Sequence, residues 1–180
     1  DEMMKQDGRV YSVPQLLRVR GAAFSCLAFT FYTFEGVTIL WMASYLVFGK
    51  QLDAATAASI SSMIYIGIST GRIATAFIAN RVSGKRMIQL SQAFIILSII
   101  VLMLTSRLEL LYIVVFILGF SFGPVYPAMV KQTVSYFRPE YSVGIISMQM
   151  CFNYIGNMFI PPLYGALTSL FGRQDLLPFY

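Results

Sequence analysis

Glu35 is the single charge in an apolar run of 28 residues, Gly21 to Phe48. A carboxylate near the centre of a bilayer costs about 3 kcal/mol on insertion scales. It must therefore face a cavity, pair with a base, or stay protonated. Tyr32, Glu35, Thr38, Met42 and Tyr45 recur at i+3 and i+4, which gathers them on one helical face. That face offers either a substrate-binding or titratable carboxylate, or a structural Glu bonded to a neighbouring helix. Arg72 is the single charge of the next run, Ala54 to Asn80, and shares a face with Ser62, Tyr65 and Ser69. It lies about 7 Å from mid-span along the axis. From there it can form an ion pair with Glu35, or support a gate near the span's end. Gln149, Asn153 and Asn157 are spaced by four and put three amides on one stripe. Amides both donate and accept, which suits a hydroxyl-rich ligand, and equally suits bonding between helices. The substrate-cavity set expected from these patterns is Tyr32, Glu35, Tyr65, Gln149, Asn153 and Asn157, with Arg72 at a gate or in an ion pair.

Other chemistry is scarce. The chain has no His and two Cys, Cys26 and Cys151, both inside apolar runs. The usual general base and the commonest metal ligand are thus missing, and no nucleophile motif or metal cluster can be assembled. No enzyme activity, metal or cofactor is expected. The net charge is +5, but the basic residues sit in short loops between apolar runs. That pattern fits membrane orientation and argues against a nucleic-acid partner.

The elements that must position these residues follow from composition. The chain is 57% hydrophobic and 12% charged, against about 25% charged residues in soluble domains. Its natural solvent is a lipid bilayer. Residues 1–20 read as a polar linker holding Lys5, Arg9, Arg18 and Arg20, and the transmembrane bundle occupies 21–180. Its runs are 21–48, 54–80, 87–106, 110–134, 143–171 and a truncated 176–180, giving five complete transmembrane helices plus the start of a sixth. Both ends look cut, so a fragment is expected. Barrel strands alternate in polarity over about 10 residues, and these runs are longer and do not alternate. The fold class is an all-α membrane protein.

The spans differ in polarity. Met87 to Ser106 is nearly featureless and reads as a peripheral, lipid-facing helix, whereas the other four carry polar groups at depth. Gly119, Gly123, Pro124 and Pro127 mark a helix break in the fourth span, and Pro161 and Pro162 interrupt the fifth. The linker end of the bundle collects Lys5, Arg9, Arg18, Arg20, Arg81, Lys85, Arg86, Lys131 and Arg138, and the other end Lys50, Arg107 and Arg173. Nine bases against three place the linker end in the cytoplasm of a multi-pass protein of the cell (plasma or inner) membrane.

Three features together resemble the C-terminal half of a major facilitator superfamily transporter. The first is the linker followed by three helices, a basic loop and three more. The second is the loop Asn80-Arg81-Val82-Ser83-Gly84-Lys85-Arg86, similar to the superfamily's Asp-Arg-x-Gly-Arg-Arg motif between its eighth and ninth helices. The third is Gly119 through Pro127, which looks like its tenth helix. Phe31-Tyr32-Thr33-Phe34-Glu35-Gly36, leading to Trp41 and Tyr45, together with Gly71-Arg72, is similar to the fucose:proton symporter-like group. The loop departs from the motif at Asn80, at the Arg-x-x-Gly spacing and at Ala76. Arg81, Lys85 and Arg86 remain as cytoplasmic anchors, and with Asn80 and Gly84 they make up the loop motif.

The resemblance implies a bundle paired with a missing N-terminal six-helix half, with the substrate at mid-membrane. It implies that the first, second, fourth and fifth spans line the cavity. The leading expectation is the C-terminal domain of a secondary active transporter. Its cargo would be a small polar solute, sugar-like and proton-coupled, moved by alternating access. The alternatives are a drug or metabolite exporter of the same fold, and a non-transporting membrane sensor or assembly subunit.

Overall fold

The computed structural model describes residues 12–79 and 81–170. They form eight α-helices: α1 (Val13–Leu17), α2 (Ala22–Tyr32), α3 (Phe34–Ser44), α4 (Ala54–Ile78), α5 (Gly84–Leu104), α6 (Leu108–Phe122), α7 (Val125–Tyr136) and α8 (Pro139–Leu170). A π-helical turn, Tyr45–Gly49, extends α3. No strand occurs among the described residues. The expected stub at 176–180 and Arg173 lie outside them, as do Lys5, Arg9 and Asn80.

The helices stack into five columns. Ala22–Gly49, Gly84–Leu104, Leu108–Tyr136 and Pro139–Leu170 are each long and apolar enough to cross a membrane. The fifth column, α4, is 25 residues long but diluted by Ser, Thr, Gly and Arg72. Large apolar side chains such as Phe24, Phe77, Leu104 and Leu170 point outward, as a lipid-facing surface requires. α5 packs chiefly on α6 and α7, on the outside of the bundle.

Local chemistry explains the helix ends. Asp53 Oδ2 accepts the Thr56 N–H at 2.9 Å and caps α4. That bond favours the ionised carboxylate and holds Asp53 below the usual carboxylate range. Ser83 caps α5 in the same way, accepting from Arg86 N–H at 3.5 Å. At the opposite end of α5, Lys50 Nζ donates to the carbonyls of Met103 at 2.9 Å and Thr105 at 2.8 Å. A cation there satisfies the last carbonyls and opposes the helix dipole, although partial burial pulls the ammonium below the ordinary lysine range. Lys131, on α7, donates likewise to the Ala79 carbonyl at the C-terminal end of α4.

Packing of α4 on α6 depends on four glycines. A Cβ at Gly67 would strike the Phe116 carbonyl and, at 2.7 Å, the Phe120 nitrogen. A Cβ at Gly71 would meet the Phe120 carbonyl, one at Gly119 the Ile64 carbonyl, and one at Gly123 the Ile68 carbonyl at 2.8 Å. The two helix backbones thus touch, which small residues permit in membranes.

Two expectations need correction. Thr38, Met42 and Tyr45 are buried in the core rather than set on a cavity face. The first column is not one uniform helix: a turn at Thr33, whose N–H bonds the Thr30 carbonyl, separates α2 from α3, and α4 covers the face beyond. Pro161 and Pro162 do not interrupt α8, which runs through them. They remove ladder donors opposite the Asn157 and Met158 carbonyls, and the Trp41 indole holds the segment by donating to the Pro161 carbonyl at 3.3 Å. In the fourth column the change of helix does fall at Gly123–Pro124, the C-cap of α6 and the N-cap of α7.

Two apolar cores result. One, near the Lys50 end, includes Val37, Met42, Leu46, Ile60, Ile64, Leu111, Val115 and Leu118. The other, near the Arg81 end, joins Leu16 of α1 to Ala22, Cys26, Phe137, Ile145 and Met148. Between them α2 packs on α8 while α4 packs on α3 and α6. The columns therefore part at mid-height.

Candidate functional site

The parting is a cavity of ≈ 710 Å³, within the range of about 300–1,000 Å³ common for small-molecule sites. Its walls come from α2 and α3 on both sides of the Thr33 turn, the C-terminal half of α4, the start of α7 and the middle of α8. Two irregular points of the bundle, at Thr33 and at Gly123–Pro124, meet here. Tyr32 precedes Thr33, Tyr126 follows Pro124, and their ring centroids are 6.1 Å apart. Phe29 stands edge-on to Tyr126 at 6.4 Å.

Glu35 lies in the first turn of α3 and is 8% exposed. Its Oε2 is buried and has no hydrogen-bond partner among the described residues. Tyr32 stands one helical turn before it on the same cavity wall, and Arg72 lines that cavity without forming a direct ion pair with the carboxyl. An unpartnered buried carboxylate oxygen is costly and marks a place for a proton or a donor. Arg72 is exposed and lines the same space.

The amides of α8 separate into two groups. Asn153 and Asn157 line the cavity. Asn157 Nδ2 donates to the Asn153 backbone carbonyl at 3.1 Å and to Asn153 Oδ1 at 3.3 Å. The Thr33 hydroxyl donates to that same Oδ1 at 3.4 Å. Gln149, grouped with them by spacing, is fully buried and lies outside this cavity's wall. Its Nε2 donates to Ser25 Oγ at 3.0 Å and Thr133 Oγ1 at 3.1 Å, joining α2, α7 and α8. Tyr65 is 60% exposed on α4 and also lies outside the cavity wall.

The remaining singled-out residues fall around this centre. Pro127 lines the cavity. Gly119, Gly123 and Pro124 shape the α4–α6 crossing and the turn into α7. Pro161 and Pro162 lie on α8 beyond Asn157, toward its C-terminal end. In the basic loop, Arg81, Lys85 and Arg86 are exposed. Gly84 opens α5 where a Cβ would lie 3.0 Å from the Ala128 carbonyl. Asn80 lies outside the described residues.

Sequence reading did not single out Thr33, Thr75, Tyr126, Met150 or Tyr154 as cavity residues. Tyr126 carried a signal, an aromatic between the two prolines of a broken helix. Thr33 carried none, because a threonine in an apolar run ordinarily bonds its own helix.

Comparison with known proteins agrees with the helical plan. A family model described as Major Facilitator Superfamily matches residues 21–177. No curated protein matches the chain, and no solved structure does.

Proposed function

The chain belongs to the Major Facilitator Superfamily and is a membrane transporter of that type; from this premise we propose that it moves a small polar, sugar-like solute by alternating access, driven by protons. The carrying observation is the Glu35 carboxyl, buried at the cavity wall with Oε2 unpartnered. A carboxyl in that position binds a proton or a substrate hydroxyl, and its gain or loss of charge changes the local field most strongly where water is scarce. Asn153 supplies neutral donors beside it and Arg72 a fixed positive charge. Tyr32, Tyr126 and Tyr154 add aromatic surface of the kind a sugar ring's C–H face covers. The open side of the cavity is closed, in this proposal, by a second six-helix bundle, and the two rock about the site. The basic loop end, with Arg81, Lys85 and Arg86, faces the cytoplasm of the cell membrane. The fucose:proton symporter-like pattern around Glu35 supports the choice of solute class.

The test uses the full transporter in liposomes, with uptake of labelled monosaccharides under an imposed pH gradient. The wild type accumulates at least one sugar. Glu35→Gln, which keeps the shape and removes the charge, lowers that uptake tenfold or more and removes its dependence on the gradient. A Glu35→Gln protein that transports and couples normally takes Glu35 out of the mechanism. The aromatic and apolar wall residues Tyr126, Tyr154, Met150 and Ile39 favour a second reading, an exporter of apolar cargo. Dye efflux without sugar uptake would select it.

A further inference from the structure

We propose that Thr33 is a positioning residue that fixes the Asn153 amide so that the site donates to, and selects, a substrate oxygen acting as a hydrogen-bond acceptor; this rests on the polar-solute reading above.

Most hydroxyls within the spans bond back to their own helix. Thr30 donates to the Cys26 carbonyl, Thr38 to Phe34, Thr75 to Gly71 and Ser121 to Ile117. Thr33 does not: its hydroxyl crosses to Asn153 Oδ1 on α8. It is the turn between α2 and α3, being the C-cap of one and the N-cap of the other. Gly156 gives it room. A Cβ there would fall on Thr33 Oγ1 and lie 3.2 Å from Thr33 Cβ.

The orientation of the Asn153 amide then follows from donors and acceptors. The Asn153 backbone carbonyl only accepts, so the Asn157 group beside it at 3.1 Å is the NH₂. That same NH₂ lies 3.3 Å from an Asn153 side-chain atom, which must therefore be the oxygen, Oδ1. Thr33 is the second donor to Oδ1, and the oxygen's two lone pairs are spent. Asn157 Nδ2 is likewise spent on Asn153, and its Oδ1 lies against Gly36. What Asn153 offers the cavity is Nδ2 and its two hydrogens, which reach no acceptor among the described residues. The recognition pattern pairs the free donor of Asn153, Nδ2, with the Glu35 carboxyl on the same cavity wall. It fits a hydroxyl or ring oxygen accepting from Asn153 while a neighbouring hydroxyl donates to Glu35. Without Thr33 the amide loses one of the two side-chain bonds that hold it, and can turn its oxygen toward the substrate.

The test measures initial uptake by the full transporter in liposomes. Radiolabelled D-glucose, D-galactose, D-xylose and L-fucose are the probes. Each transported sugar is then competed with its deoxy and deoxyfluoro analogues, since fluorine accepts but cannot donate. The wild type should prefer the fluoro over the deoxy analogue several-fold at one ring position. Thr33→Val, which keeps the shape and removes the hydroxyl, should raise KM about fivefold to tenfold with little change in maximal rate, and should erase that preference. Thr33→Ser should restore both. Thermal unfolding in detergent confirms that each variant is folded, and a destabilised Thr33→Val is replaced by Gly156→Ala, which displaces the same hydroxyl. Wild-type KM and selectivity in Thr33→Val, or a Thr33→Ser that behaves like Thr33→Val, overturns the proposal while the transport reading stands. Failure of the wild type to move any of the four sugars overturns both.

Discussion

Gln149 illustrates how one residue's surroundings decide its part. Its neighbours in the amide stripe, Asn153 and Asn157, line the cavity, yet Gln149 is sealed between Ser25 and Thr133. Both hydroxyls also bond their own helices, Ser25 to the Ala22 carbonyl at 2.8 Å and Thr133 to the Met129 carbonyl at 3.1 Å. Removing the amide therefore strands no polar atom. Gln149→Leu, of similar volume, should cost only about 1 kcal/mol, the net worth of an ordinary hydrogen bond. Gln149→Ala adds an unfilled cavity, for about 2–3 kcal/mol in all. Thermal unfolding of the two variants in one detergent checks the order, and equal losses would show that the bonds matter more than the volume. Regular spacing made this stripe legible in the sequence. Its division did not, because helical periodicity reports the face and says nothing of which neighbour covers each point along it.

At the level of elements, the crossing of α4 and α6 is where sequence and packing agree most directly. Gly67 with Gly71, and Gly119 with Gly123, each stand four apart, and the structure lays one pair against the other. Alanine is favoured over glycine in a helix by about 1 kcal/mol, but at these positions the added methyl meets backbone, which cannot swing aside. Overpacking costs about 1–3 kcal/mol, so Gly67→Ala and Gly119→Ala should each lower the melting temperature. Combined, they should cost less than the sum, since either one already parts the helices. Gly144→Ala is the control. Its methyl would approach Leu16 Cδ1 at 2.9 Å, the movable end of a side chain, so it should be neutral or stabilising. A Gly67→Ala as benign as Gly144→Ala would disprove the contact. The five long columns were likewise legible from apolar runs, with helix ends displaced by only a few residues. The turn at Thr33 was not, because no glycine or proline marks it and the partner of its hydroxyl, Asn153, lies 120 positions away.

For the molecule as a whole, the arrangement of charge and of the two cores points the same way. Among the described residues the α2 start and the α4–α5 and α7–α8 loops bring Arg18, Arg20, Arg81, Lys85, Arg86, Lys131 and Arg138 to one end, leaving Lys50 and Arg107 at the other. The cavity reaches toward the crowded end, for Arg72, Thr75, Ala76 and Ala79 descend α4 as its wall, and Lys131 holds Ala79 at the rim. Positive residues are retained in the cytoplasm during insertion, so this rim should be cytoplasmic and the Lys50 end external. Single cysteines placed at Ser106 and Glu140, both exposed in the loops or first turns at opposite ends, decide the matter in a Cys151→Ser background, Cys26 being buried. An impermeant maleimide on intact cells should label Ser106→Cys and reach Glu140→Cys only after lysis. The opposite pattern would invert the bundle and turn the cavity outward. The sequence could count the bases at each end, but it could not show that the cavity's polar wall runs toward the basic one. That depends on α4 leaving α2 while staying locked to α6, a consequence of the glycine crossing and not of any residue in the loops.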